Sequence, residues 1–291
     1  MPERGSSGRH TPSRRAFLGT LGSAALASGL ALPARGQPAA EAAPRRRRLP
    51  LGLASYTLRL FPLDEALAMT RRVGLEHICL KSVHLPLDAT AEQIAEAAAK
   101  VNQAGLDLYA CGVVTMRTEA EVDQAFAYAK AAGMRMIVAS PAVELLPLVD
   151  RMIRQSNIAV AIHNHGPGDK VYPTPEVAYE HARPFDKRLG LCIDIGHTVR
   201  IGADPHESAR KYADRLLDVH IKDVSEAAPS GKTVECGRGV IDLPRFLRTL
   251  VEIGYSGIVS FEHEKDEKDP LAGLAESVGY VRGVLDAISA V

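Results

Sequence analysis

The residues able to do chemistry are marked by where they fall. His163, Asp194, His220 and Glu262 each close a short apolar run in the second half of the chain, and the runs alternate large residues with small or polar ones. Two imidazoles and two carboxylates form an N2O2 donor set for one divalent ion, and such a set suits Mn, Zn, Co or Fe better than Mg. A buried carboxylate is costly unless it is paired, and a divalent cation removes that cost. Any one of these residues alone is as readily a structural polar group. Four in phase on successive runs are much harder to explain that way. Close by in the chain stand His165, two positions past His163, and Lys222, two past His220. Lys81 ends an earlier run in phase with Cys79. Each is a candidate proton carrier or substrate contact, or else a salt-bridged rim residue. Asp169, in Gly166-Pro167-Gly168-Asp169, lies on a loop placed to cover the site, or is a turn residue.

For these residues to meet, the runs must be neighbouring strands that end at one rim. Strands are expected over Leu51–Ser55, Leu75–Lys81, Leu106–Val114, Met134–Ala139, Ile158–Asn164, Leu189–Ile195, Leu216–Ile221 and Gly257–Glu262. Helical periodicity separates them, over Leu63–Val73, Ala91–Gln103, Glu119–Ala132, Val143–Arg154, Pro175–Ala182, Pro205–Arg215, Leu243–Ile253 and Leu271–Ile288. Gly74, Gly105, Gly133 and Gly254 stand where helices should stop, and Thr90 stands where one should be capped. Eight β-α units in about 240 residues predict an α/β fold, a single (β/α)8 TIM barrel. A doubly wound open sheet needs fewer strands, and no Gly-x-Gly-x-x-Gly turn follows the first strand.

Strand parity selects which side chains point inward. Ile158, Val160, Ile162, Leu191, Ile193, Val219, Ile221, Val259 and Phe261 form the large set, expected against the helices. Ala159, Ala161, Cys192 and Ser260 alternate with them, in phase with His163, Asp194, His220 and Glu262. The four polar residues therefore face inward at the C-terminal rim, where barrel enzymes carry their chemistry.

Composition separates a leader from this body. The chain has 291 residues, 46% apolar and 24% charged, which excludes a disordered or fibrous chain. Four Cys are too few for a disulfide scaffold, and Cys79, Cys111, Cys192 and Cys236 are expected as unpaired thiols. The formal net charge is zero, but nine Arg and two Glu put +7 on residues 1–48 and leave −7 on the rest. An acidic body is a poor surface for phosphate backbones, so no nucleic-acid partner is expected. Ser13-Arg14-Arg15-Ala16-Phe17-Leu18 opens a weakly apolar stretch to Ala34, and Ala40-Glu41-Ala42 offers a cleavage site. The order resembles a twin-arginine translocation signal. Residues 1–42 are expected to be that signal, 43–49 a basic linker and 50–291 the barrel. The translocation machinery is then a partner, and the location periplasmic or secreted. No Cys follows the apolar stretch, so no stable membrane anchor is expected. A homo-oligomer is compatible with the sequence and not specified by it.

The body carries Ile193-Asp194-Ile195-Gly196-His197, Val219-His220-Ile221-Lys222-Asp223, Gly237-Arg238-Gly239-Val240-Ile241-Asp242 and Gly257-Ile258-Val259-Ser260-Phe261-Glu262. On these motifs, residues 50–288 resemble the sugar phosphate isomerase/epimerase family of xylose isomerase-like barrels. The resemblance implies that Asp194, His220 and Glu262 are metal ligands, that His197 holds a substrate hydroxyl, and that Glu262 also acts as an acid/base. It departs from the family at the fifth strand, where ketose epimerases carry a second Glu. Here the strand ends Ile162-His163-Asn164-His165, so the two-carboxylate mechanism does not transfer intact.

The activity expected from this resemblance is a metal-dependent isomerase or epimerase that takes a sugar or keto-sugar through an enediolate. His165, Lys81 or Lys222 would be the second proton carrier. A metal-dependent lyase or hydratase on oxidised sugars or glycosides is the alternative, favoured by the missing Glu. A non-catalytic sugar-binding barrel and a nuclease of the apurinic-site type stand further off. Gly237-Arg238-Gly239 is either a phosphate-holding turn or a plain loop.

Overall fold

The computed structural model describes residues 49–289. The expected signal at 1–42 and linker residues 43–48 lie outside the described residues. Eight parallel strands close into a barrel: β1 (Leu51–Ala54), β2 (His77–Leu80), β3 (Asp107–Met116), β4 (Met136–Pro141), β5 (Ala159–His163), β6 (Leu189–Asp194), β7 (Leu216–Ile221) and, as the eighth stave, β10 (Ile258–Phe261). A short hairpin, β8 (Asp223–Val224) with β9 (Thr233–Val234), stands on the rim after β7. The helices are α1 (Leu63–Arg72), α2 (Ala91–Gln103), α3 (Glu119–Ala131), α4 (Leu146–Ser156), α5 (Pro175–Ala182), α6 (Ile195–Arg200), α7 (Pro205–Lys211), α8 (Leu243–Glu252) and α9 (Leu271–Ser289). No helix among the described residues is long and apolar enough to cross a membrane.

The two layers of the core follow the strand alternation. Ile158, Val160, Ile162, Leu191, Ile193, Val219, Ile221, Val259 and Phe261 all pack in the layer shared with the helices. Cys79, Tyr109, Ala110, Val138, Ala161, Cys192 and Ile258 fill the inside of the barrel. Burying one such large aliphatic side chain is worth about 1.5–3 kcal/mol, so register is strongly specified. All four cysteines are buried free thiols.

Several strands begin later than the apolar runs suggest, for one reason. The residue after each helix-terminal glycine is spent closing the helix: Leu75 N–H donates to Thr70, Leu106 to Val101, and Met134 to Ala129. The fourth strand therefore runs Met136–Pro141 instead of Met134–Ala139. Two expected helices are also subdivided. Val143–Leu145 is a 3-10 turn leading into α4, and α7 stops at Lys211 before a second 3-10 turn at Ala213–Arg215. The buried Arg215 guanidinium there donates to the carbonyls of Arg183, Phe185, Asp186 and Leu189, which fixes the entry to β6. Thr90 with Gln93 and Thr118 with Glu121 form capping boxes at the starts of α2 and α3.

Candidate active site

The rim of β5, β6, β7 and β10 brings four side chains together. His163 ends β5 in register with Cys192 of β6, and Asp194 ends β6 in register with His220 of β7. Ser260 of β10 pairs with His220, and Glu262 extends that ladder through its N–H to the Ile221 carbonyl, 3.1 Å. One ligand atom from each of His163, Asp194, His220 and Glu262 lies within 4.8 Å of the others, and all four residues are buried. His163 Nε2 is 3.6 Å from Asp194 Oδ2, and His220 Nδ1 is 3.4 Å from Glu262 Oε2.

These atoms are short of partners. Both nitrogens of His163 and both of His220 make no hydrogen bond, while Asp194 Oδ2 is met by the Lys222 ammonium. Such groups are costly to bury unsatisfied, and two imidazoles with two carboxylates are the donors a divalent cation takes. The residues therefore fit a metal ion. Cys192 lies near His163 and His220 as an alternative donor. Burial holds its thiol protonated, and it donates weakly to Asp218 Oδ2 at 3.7 Å, so it is the poorer ligand.

The electrostatics are those of a cation site. Burial pushes His163 down to about 3, so its ring is neutral and one nitrogen keeps a lone pair for a ligand bond. Burial also opposes charge on His220, but Glu262, Asp218 and Asp194 outweigh it and raise its pKa. Burial would lift Asp194 and Glu262; Lys222 foremost, with neighbouring histidines, holds both carboxyls well below the usual range. Lys222 Nζ lies 3.0 Å from Asp194 Oδ2 and 2.8 Å from Glu262 Oε2, and also pairs with Glu264. Burial penalises its charge, yet these three carboxylates keep it protonated.

The other expected residues divide into those near the cluster and those apart from it. His165 stacks at a tilt on His163, ring centroids 4.5 Å apart, and its Nδ1 is 3.0 Å from Asp169 Oδ2. Asp169 also accepts the N–H groups of Val171 and Tyr172 through Oδ1, which fixes the loop. Asp169, expected at the substrate, thus sets a carboxylate beside His165, although His165 Nδ1 makes no hydrogen bond. His197 lies on α6, 6.0 Å from the His163 ring and 6.3 Å from the His165 ring. Lys222, also expected at the substrate, is engaged by carboxylates. Lys81 is part-buried, donates to the Val113 carbonyl at 3.2 Å and faces the Tyr56 ring at 5.6 Å; none of its contacts reaches the four clustered residues.

Two glycines make this assembly possible. A Cβ on Gly196 would collide with the Lys222 side chain, so the Asp-Ile-Gly-His motif lets α6 lie over Lys222. Gly166, at φ +71°, leaves no room for a Cβ against the backbone of His197, so the His165 loop meets α6 there.

Sequence reasoning missed several supporting groups. Asn164 accepts the Asp194 N–H and donates to the Asp194 carbonyl and Thr198 Oγ1, which joins the ends of β5 and β6. Its place beside His163 was the signal. Asp218 lies one inward position below His220; Tyr109 donates to it at 3.2 Å, His220 Nε2 stands 3.8 Å away without a hydrogen bond, and burial raises it to about 6. Strand parity puts Asp218 in phase with His220. The Gly237-Arg238-Gly239 turn is a plain loop, because the N–H groups of Gly237 and Gly239 both donate to Asp223 Oδ2 at 2.9 Å.

Comparison with known proteins places the chain. An inosose dehydratase of Clostridium tetani (strain Massachusetts / E88) is 29% identical over 131 residues, 40% of this chain and 44% of that protein. The chain thus spans less than half the length of this relative. The structure of an L-ribulose 3-epimerase superposes with TM-score 0.66 at 17% identity, covering 82% of this chain and 95% of the other. A xylose isomerase-like barrel protein from Mycobacterium smegmatis, solved in complex with magnesium, superposes with TM-score 0.64 at 18% identity, covering 82% and 97%. At these identities the two structures establish the fold alone. The sequence profile of the xylose isomerase-like TIM barrels matches residues 67–284. With the closed eight-stranded parallel barrel, that match establishes that the chain belongs to the xylose isomerase-like TIM barrel family.

Proposed function

We propose that this chain is a metal-dependent enzyme that removes a proton from the carbon beside the carbonyl of a keto-sugar, with loss of water as the outcome. The observation that carries the reading is the His165–Asp169 pair, 3.0 Å apart, set against the four-residue cluster. His163, Asp194, His220 and Glu262 would hold one divalent ion. When bound, that ion supplies a Lewis acid that polarises a carbonyl oxygen.

The chain's own residues do the proton work. His165 takes the proton from carbon, and the neighbouring Asp169 carboxylate stabilises the imidazolium that forms. The same imidazolium returns the proton to the departing hydroxyl, so water leaves and a carbon–carbon double bond forms beside the carbonyl. His197 holds a substrate hydroxyl from α6. Lys222 keeps Asp194 and Glu262 ionised. Elimination needs only this one carrier, which agrees with the absence of a fifth-strand carboxylate. The dehydratase name of the Clostridium relative supports the same outcome.

A second reading is isomerase or epimerase chemistry, which needs a second carrier. The closest approaches of His220 and Lys222 to Glu262 are both at Oε2, and Glu262 is the candidate for that role. The two outcomes separate by NMR of an inosose and a panel of keto-sugars in D2O. Dehydration yields a new vinyl resonance; epimerisation yields deuterium at an inverted carbon. H165Q should lower the dehydration rate about 10²–10⁴-fold with its metal retained. Full activity in H165Q contradicts the assignment. We also propose that the leader exports the folded barrel, testable by whether R14K/R15K retains it inside the cell.

A further inference from the structure

A cleft of about 400 Å³ opens beside the site, lined by His197 and Arg200 of α6, Lys222, the β8–β9 hairpin at Val224, Gly231, Lys232 and Thr233, and residues Glu264 to Asp266 after β10. Its charges are unequally satisfied. Lys222 is held by Asp194, Glu262 and Glu264, and Lys265 by Glu235 and Asp266. Arg200 and Lys232 have no carboxylate partner among the described residues. Arg200 donates one terminal nitrogen to the Pro229 carbonyl at 2.8 Å and approaches His197 Nδ1 at 3.5 Å with the other. Its Nε is buried with no hydrogen-bond partner. The occluded Nε is out of reach of the cleft, but each terminal nitrogen keeps a second N–H, and a guanidinium held at both ends is prepared for an oxyanion. The hairpin that carries Lys232 is tied by Ser225: its N–H donates to the Lys232 carbonyl at 2.9 Å, and its hydroxyl accepts the Lys232 N–H at 3.1 Å.

From this geometry we propose that Arg200 and Lys232 form an anion subsite, and that the substrate of the neighbouring site carries a carboxylate or phosphate. The inference rests on the proposed function for its substrate's sugar character, and on the cleft alone for its charge. His197 and Arg200 lie one helical turn apart on α6, so a hydroxyl held by His197 and an anion held by Arg200 can belong to one small molecule.

The test uses the full chain loaded with its metal and reads binding calorimetrically at low salt. The probes are inorganic phosphate, D-gluconate and D-sorbitol, the last lacking the gluconate carboxylate. At least one anion should bind tighter than sorbitol, with affinity falling about tenfold in R200Q and in K232Q and mostly kept in R200K. Tighter phosphate assigns a phosphorylated substrate, and tighter gluconate a sugar acid. Anion affinity unchanged in the R200Q/K232Q double variant, or sorbitol bound as tightly as both anions, overturns the subsite. Should R200Q unfold, the exposed K232Q carries the comparison. Metal content and proton exchange on keto-sugars are measured on the same samples. Intact metal and exchange with anion binding indifferent to Arg200 sinks the subsite alone. Arg200-dependent anion binding without metal or exchange sinks the proposed function alone.

Discussion

Asp194 divides its carboxylate between two tasks. Oδ1 caps α6 by accepting the His197 N–H at 2.8 Å, while Oδ2 joins His163 and Lys222 in the cluster. The first task needs only an oxygen; the second needs a charge. Asn caps helices nearly as well as Asp, so D194N should separate them. The cap should survive, with the chain folded by circular dichroism, while metal affinity drops by at least about 100-fold by equilibrium dialysis. Equal metal affinity in D194N would show that Oδ2 is not a ligand. The in-phase placing of His163, Asp194, His220 and Glu262 was legible from strand alternation, because period 2 is a strict geometric rule. The partner of His165 was not. Asp169 stands four residues on, in a loop whose path depends on Gly166 and on the Asp169 turn itself.

Strand order and the inside–outside division followed from the sequence, because large residues facing the helices and small ones facing the barrel axis leave little choice of register. The short pieces did not. Helix α6 has only six residues and β8 and β9 two each, too few for a periodic signal, yet α6 carries His197 and Lys232 immediately precedes β9. Helix α6 is also where a small change should have a large effect. G196A pushes a methyl group into Lys222 and moves α6 or the ammonium. Overpacking of this kind costs about 1–3 kcal/mol. We expect G196A to lower turnover by more than its unfolding midpoint would explain; turnover equal to wild type would mean that α6 needs no close approach.

The junction of β1 and β2 offers a pH-dependent check. His84 is buried, its Nε2–H donating to the Leu58 carbonyl at 3.2 Å and its Nδ1 accepting from Ser55 Oγ at 2.9 Å, while Ser55 Oγ accepts the Lys81 N–H. Burial lowers its pKa below 6.5. The folded chain thus binds this proton less readily than the unfolded chain, so the stability contribution is complete above about pH 6.5 and is lost as pH falls toward the folded value. Between pH 7 and 5 the unfolding midpoint should fall less in H84Q than in wild type. Identical slopes would remove His84 from the account.

At the scale of the molecule, the zero net charge is the sum of +7 over residues 1–48 and −7 over the rest. Family membership and fold rest on more than two hundred matched residues, whereas the chemistry rests on a handful at one rim. That difference explains why the barrel could be read from periodicity while the choice between elimination and epimerisation turns on one imidazole and one carboxylate.

On the reading proposed above, four buried side chains form one divalent metal centre. Elemental analysis of the purified full chain measures it most directly. The account predicts about one divalent ion per chain in the wild type and a near-complete loss in the H163A/H220A variant, with the barrel still folded by circular dichroism. A wild type without metal after exposure to Mn, Zn, Co, Fe or Mg would contradict it, as would a double variant that keeps its ion.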